Sequence, residues 1–317
     1  MSDLLERGAS GDRAPLARLL SLVERGGDDA CTVSAAVHPL CGEAVNVGIT
    51  GAPGAGKSTL TSALCRAIRA VGRSVAVLAI DPSSPFTGGA ILGDRIRMSE
   101  HVLDDGVFIR SMATRGHLGG LAVAAPDAAR VLDAAGFDHV IVETVGVGQV
   151  EVDVASATDT TVVVVNPGWG DAVQAAKAGL VEIADVFVVN KADRPGAADA
   201  VRDLTAMLSL RGASSWVPPV VETVATTGRG VDQLLEVLAE HRDHLVVSGE
   251  LQRRRARRAE EEVRAVVATR LAERAEELCQ GPVWDQQWAQ VAAGSLDPWS
   301  AADAVLGAAS LIDGPPR

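Results

Sequence analysis

"NVGITGAPGAGKSTL", residues 46–60, decides the fold. A short apolar run leads into Gly51-Ala52-Pro53-Gly54-Ala55-Gly56-Lys57-Ser58, and Thr59 continues into a helical pattern. Glycines at this spacing let backbone N–H groups turn inward on phosphate oxygens, and the N-terminus of the following helix adds positive potential. In that setting Lys57 reaches the β- and γ-phosphates and the Ser58 hydroxyl binds Mg²⁺. Chance supplies such a string on the order of 0.003 times in a chain of this composition. The stretch therefore predicts a nucleotide-binding phosphate loop between a strand and a helix.

Working outward, short apolar runs alternate with helical stretches. The runs are "AVNVGIT", "SVAVLAI", "GVFIRS", "DHVIVE", "TTVVVV", "DVFVVN" and "VPPVVE". Near-continuous Val and Ile suit strands buried on both faces of a parallel sheet. Helical stretches such as "STLTSALCRAIRAVG" and "PDAARVLDAAGF" between them point to βαβ units. The predicted fold class is α/β: a three-layer P-loop NTPase domain with a mostly parallel sheet over residues 43–244. A short helical prelude (1–42) precedes it, with Leu16, Leu19, Leu20 and Val23 on one face. A C-terminal helical arm (245–317) follows, with Val263, Val266, Val267, Leu271, Ala275 and Leu278 in one stripe that suggests a dimer contact. The Arg run 253–258 is followed directly by acids and reads as a solvated helix face.

Composition narrows the partners. The chain of 317 residues carries a net charge of −12, so it lacks the electrostatic footprint of a nucleic-acid binder. No apolar run approaches the roughly 18 residues that span a bilayer, and the acidic start lacks a signal-peptide core. Cys31, Cys41, Cys65 and Cys279 lie far apart, which predicts reduced thiols in a cytoplasmic protein rather than a metal site. Of 29 basic residues only Lys57, Lys177 and Lys191 are lysine, so each marks a place where a compact ammonium is needed.

"VFVVNKADR" selects the base. Asn190-Lys191-Ala192-Asp193 ends a buried run. The Asp193 carboxylate can accept hydrogen bonds from the N1–H and 2-amino groups of guanine, whereas adenine would leave it unpaired. Lys191 can lay its stem over the base, and Asn190 can tie this loop to the phosphate loop. "ETVATTGRG" supplies the last base-facing loop, Val224-Ala225-Thr226, with the Ala225 N–H offered to guanine O6.

Acids near the γ-phosphate complete the picture. Glu143 ends the run "DHVIVE" and can hold Mg²⁺ directly or through water; Gly146 behind it can donate its N–H to the γ-phosphate. Asp81 and Asp94 are further candidates for the metal and water shell. Val147 stands where many GTPases carry a water-orienting Gln, so intrinsic turnover is expected to be slow, on the order of 10⁻⁴–10⁻² s⁻¹.

"GAPGAGKST", "AIDPSSPFTGGAILGDRIRM", "ETVGVGQ", "GDAVQAAKAG", "NKAD" and "LDPWSAADAVL" together resemble the methylmalonyl-CoA mutase-associated GTPases of the MeaB/ArgK type, from near Arg13 to the tail. The resemblance implies a dimeric G-protein chaperone that binds GTP, GDP and Mg²⁺, gates adenosylcobalamin loading and protects a B12-dependent acyl-CoA mutase. It implies that Lys57, Ser58, Asp81, Asp94 and Glu143 form the phosphate and Mg²⁺ site, and that Asp171, Gln174 and Lys177 form an additional switch. Ala172 stands where that switch carries an acid, and "SPFTGGAILGDRIRM" is a variant form, so the client could be a related mutase. Two other readings are a P-loop small-molecule kinase, for which no acceptor site is visible, and a metal-insertion GTPase, for which six scattered His and four isolated Cys are a poor ligand set.

Overall fold

A computed structural model describes residues 2–9, 12–82, 101, 103–114, 120–144, 157–168, 182–210 and 215–309. The chain divides into two compact units, residues 1–260 and 261–317.

In the first unit the seven apolar runs become seven strands among the described residues: β1 Val45–Gly51, β2 Val75–Pro82, β3 Val107–Thr114, β4 His139–Thr144, β5 Thr160–Val165, β6 Val186–Asn190 and β7 Val220–Thr223. They form one sheet in the order β3-β2-β4-β1-β5-β6-β7, and every pairing is parallel. The helices are α1 Ser2–Ala9, α2 Arg13–Arg25, α3 Gly27–Val37, α4 Lys57–Ala70, α5 Gly120–Ala134, α6 Ala197–Ser209, α7 Val231–Val247 and the start of α8 Glu250–Leu278.

Period-two alternation divides the strand side chains between the two faces of the sheet, where they join three cores. Val47, Ile49, Val162, Val164 and Val188 pack under α4 and α7. Ala76, Leu78, Ile80, Val140 and Val142 pack under α2, α3 and α5, while Val163, Phe187 and Val189 pack with α6. Helices thus cover both faces, which is what strands without a polar side require. At about 1.5–3 kcal/mol per fully buried aliphatic side chain, these layers are the main stabilising term.

Two boundaries differ from the sequence expectation. Leu16, Leu19, Leu20, Val23, Val33 and Val37 of the prelude belong to the same core as β2, β4 and α5, so residues 1–42 cover one face of the sheet rather than preceding the domain. At the other end the unit closes at 260 rather than 244. The Arg run is the reason. Arg254, Arg255 and Arg258 pair with Asp159 and Asp185, which immediately precede β5 and β6, and Leu251 is buried beside them. The solvated-face reading of this run is therefore corrected.

The second unit comprises the rest of α8 with α9 Pro282–Ala292 and α10 Pro298–Ala308. Asp297 caps α10 by accepting from the Trp299 and Ser300 N–H groups at 3.0 Å. Trp284 and Trp288 stack one turn apart. The α8 stripe is left open: Val263, Val267 and Leu271 are 63%, 50% and 62% exposed. Among the described residues no helix is long and apolar enough to cross a membrane.

Candidate functional site: a nucleotide-binding face

The site lies where β1, β4 and β6 end. β1 is buried through Gly51, where the backbone turns with φ 134° and a Cβ would overlap the Val164 carbonyl of β5. Gly56 has φ 93° and forms the N-cap of α4; a Cβ there would collide with the Asn190 amide. These two glycines are demanded by close approach as well as by conformation. The loop they bracket delivers Lys57 and Ser58 to the first turn of a 14-residue helix.

Lys57 is buried and donates from Nζ to the Gly51 and Ala52 carbonyls at 2.7 and 3.2 Å. Ser58 Oγ donates to Glu143 Oε1 at 2.6 Å, and Glu143 is fully buried at the end of β4. Beneath them Thr144 Oγ1 donates to Thr50 Oγ1 at 3.2 Å. A hydroxyl and a carboxylate joined at this distance are hard oxygen donors suited to Mg²⁺, which retains water and takes further oxygens from a bound phosphate. The donor set fits the ion.

On the other side of the loop, Asn190 is the junction. Its Nδ2 donates to the Ala55 carbonyl at 2.8 Å, and its Oδ1 accepts from Thr223 Oγ1 at 3.1 Å and from the Ala225 N–H at 3.2 Å. One buried amide therefore joins the phosphate loop, the end of β6 and the loop after β7. Lys191, with φ 59°, is the one non-glycine residue at positive φ among the described residues, and its Nζ donates to the Gly54 carbonyl at 2.7 Å. Such backbone positions cost on the order of 1–3 kcal/mol and concentrate at functional sites.

Two base-side features bear on the guanine reading. The Ala225 N–H donates to Asn190 Oδ1 at 3.2 Å, and Thr226 next to it is exposed. Asp193 is exposed, so the burial that would make it discriminate must come from the purine itself. Val224 is buried and bonded through its N–H to the Arg229 carbonyl at 2.9 Å, which closes the loop.

Pro53 and Gly54 form the exposed tip of the phosphate loop, and Thr59 is exposed on α4. Asp81 lies in β2 by its backbone. Asp94, Gly146, Asp171, Gln174 and Lys177 lie outside the described residues, as do Val147 and Ala172. The described residues thus bring together the phosphate loop, Glu143 and the Asn190–Asp193 loop.

Sequence reasoning missed the cluster at the opposite ends of the strands. Asp159 is 1% exposed and accepts from Arg255 Nη2 at 2.7 Å, Arg258 Nη2 at 2.9 Å and Arg242 Nη1 at 3.3 Å. Burial alone would raise its pKa, but Arg255 and Arg258 outweigh that and hold it below the usual carboxylate value. Asp185 takes both terminal nitrogens of Arg254 at 2.9 Å. The available signal was an Asp directly before each of two Val-rich strands, with arginines spaced 254, 255 and 258 on one helix face.

With this geometry in view, the comparisons with known proteins agree. Residues 16–279 match the family model "Methylmalonyl Co-A mutase-associated GTPase MeaB". A Pyrococcus abyssi protein named as a GTPase is 50% identical over 310 residues, 96% of each chain. The GTPase ArgK of Escherichia coli is 37% identical over 83% of this chain and 82% of its own. A crystal structure described as a LAO/AO transport system kinase superposes with a TM-score of 0.69 at 28% identity, covering 98% of this chain and 97% of that one. A guanine-nucleotide site in a P-loop fold, matched along most of its length, places the chain in the MeaB family of methylmalonyl-CoA mutase-associated GTPases.

Proposed function

We propose that this GTPase uses its nucleotide cycle to serve a B12-dependent acyl-CoA mutase, gating cofactor loading and protecting the loaded enzyme. The observation that carries the reading is the Asn190 junction, which makes base recognition and phosphate-loop shape one structure, together with the family to which the chain belongs. The client is a methylmalonyl-CoA mutase or a relative, and the working form is a cytoplasmic homodimer joined through the exposed α8 stripe.

Each residue has a task in this reading. Lys57 exchanges the Gly51 and Ala52 carbonyls for β- and γ-phosphate oxygens. Ser58 and Glu143, with Asp81 and Asp94, hold Mg²⁺, which supplies charge neutralisation at the phosphates. Asp193 accepts from guanine N1–H and the 2-amino group, and Lys191 moves from Gly54 to cover the base. Water attacks the γ-phosphorus, the bond to the β,γ-bridging oxygen breaks, and GDP and phosphate leave. With Val147 in place of a water-orienting Gln, the step is slow until the partner acts. Gly146 and the Asp171, Gln174 and Lys177 segment carry the loss of the γ-phosphate to the mutase surface.

The test is GTP hydrolysis by the full chain with and without purified mutase. Stimulation by the mutase with no phosphorylated small molecule supports the chaperone. Phosphoryl transfer to an added small-molecule acceptor would replace it with the kinase reading.

A further inference from the structure

The first turns of α8 are fastened to the sheet at two points only five or six residues away from the nucleotide loops. Arg254 donates to both Asp185 oxygens and, at 3.0 Å, to the Asp159 carbonyl. Arg255 donates to Asp159 and, at 2.7 Å, to the Gly42 carbonyl just before β1. Arg258 donates to Asp159 and to the Thr158 carbonyl. Asp185 is held further by the Thr161 N–H at 2.9 Å, so the entries to β5 and β6 are joined to each other as well as to the helix.

Follow those strands to their other ends. β5 reaches Val164, whose carbonyl is the floor against which Gly51 sits. β6 reaches Asn190, which holds Ala55 and the loop after β7. Both strands are buried along their whole length. From Asp159 to Val164 is about 17 Å of extended chain. A shift of β5 against β6 at the arginine end therefore changes the distance between the phosphate-loop floor and the Asn190 junction. Partial separation at the arginine end is the costly state. A carboxylate at 1% exposure is tolerable with its guanidinium partners or fully rehydrated without them, and intermediate separations carry the desolvation cost without the attraction.

We propose that the Arg254–Arg255–Arg258 clamp is a conformational latch linked to nucleotide occupancy: nucleotide binding tightens the root of α8 onto Asp159 and Asp185, and the closed latch in turn tightens nucleotide binding. The proposal rests on the guanine-nucleotide reading of the opposite face. Linkage makes the two effects equal in size.

Hydrogen exchange of the full chain, read by mass spectrometry, tests it. Samples carry no nucleotide, Mg²⁺ with GDP, or Mg²⁺ with a non-hydrolysable GTP analogue. Amides of residues 250–260 are expected to exchange at least about five-fold more slowly with nucleotide. Arg258→Gln, which leaves Arg242 and Arg255 on Asp159, is expected to weaken analogue affinity and abolish that protection. Protection of residues 51–59 and 190–193 by nucleotide with unchanged exchange at 250–260 overturns the latch alone. So does an Arg258→Gln protein of lowered Tm but unaltered affinity. A wild-type chain that binds neither nucleotide overturns the nucleotide reading first and the latch with it. The wild-type exchange experiment decides the matter even if the variant fails to fold.

Discussion

The two ends of the sheet are built on opposite plans. At the strand exits the chain uses glycines, backbone carbonyls and single polar side chains; Lys57, Lys191 and Asn190 all rest on main-chain oxygens. At the strand entries it uses full charges in close pairs, with Asp159 among three arginines and Asp185 against a fourth. Contacts of the first kind exchange readily for a ligand's oxygens, because a lysine on a carbonyl loses little by moving to a phosphate. Contacts of the second kind resist exchange, because separating them strands a buried charge. The exits are made to be re-bonded; the entries hold them in place.

That contrast can be broken most severely by cutting the chain. Ending it after residue 245 removes Arg254, Arg255 and Arg258, at about 3–5 kcal/mol for a broken buried pair. Ending it after residue 260 keeps them. Urea unfolding is expected to show the shorter protein strongly destabilised or unfolded and the longer one near the full chain. Equal midpoints would remove the entry cluster's structural role.

Lys57→Ala attacks the other end and is expected to cost GTP affinity without comparable loss of stability. Losing charge-assisted bonds to two phosphates corresponds to roughly 100-fold or more in Kd, read by calorimetry. Asp193→Asn is smaller and more selective: GTP weakens by about 3 kcal/mol or less while xanthosine triphosphate gains. An unchanged GTP:XTP preference would remove Asp193 from base recognition.

Acid separates the two ends without mutation. His241 is fully buried beside Asp185, with Nδ1 2.8 Å from Thr160 Oγ1 and with Arg254 and His244 near. Burial, opposed by Asp185, lowers its pKa from 6.5 to about 4. Between those values the unfolded chain binds a proton that the folded chain does not, so stability is full above pH 6.5 and falls as pH drops toward 4. The loss reaches about 3 kcal/mol at most. Half-buried His139, also lowered by desolvation, adds in the same direction. Asp138 alters stability only at lower pH: Ser74 and Arg73 overcome the effect of burial to hold it at about 2, so its stabilisation is full above 3.8 and is lost as pH falls from there toward 2. A flat urea midpoint from pH 7.5 to 4.5 would contradict the His241 environment. Thr223→Val is the mildest change, removing one bond to Asn190 for about 0.5–1.5 kcal/mol of GTP binding.

Most of the sheet was legible because its signals are local. A run such as "TTVVVV" can be buried on two faces or not fold at all, and a Gly-x4-Gly-Lys-Ser string admits few backbones. Asn190 was readable for the same reason. The entry cluster was not, since Asp159 and Arg258 meet across 99 positions and each taken alone looks like a turn residue or a solvated helix charge. The prelude was half legible: the Leu16–Val23 stripe announces a buried face, while nothing in it says that the partner is β2 and α5. The bond from the Ala225 N–H to Asn190 was not legible, because its acceptor comes from another strand.

The distance along the chain between Asp159 and Arg258 also has a consequence for synthesis. A ribosome adding about 5–20 residues per second delivers the acid roughly 5–20 s before its last arginine. Until Arg242 and then Arg255 and Arg258 are made, the emerging half-domain carries a negative charge at the foot of β5 with none of its arginines yet present, so that end of the sheet can close fully only when α8 begins to appear.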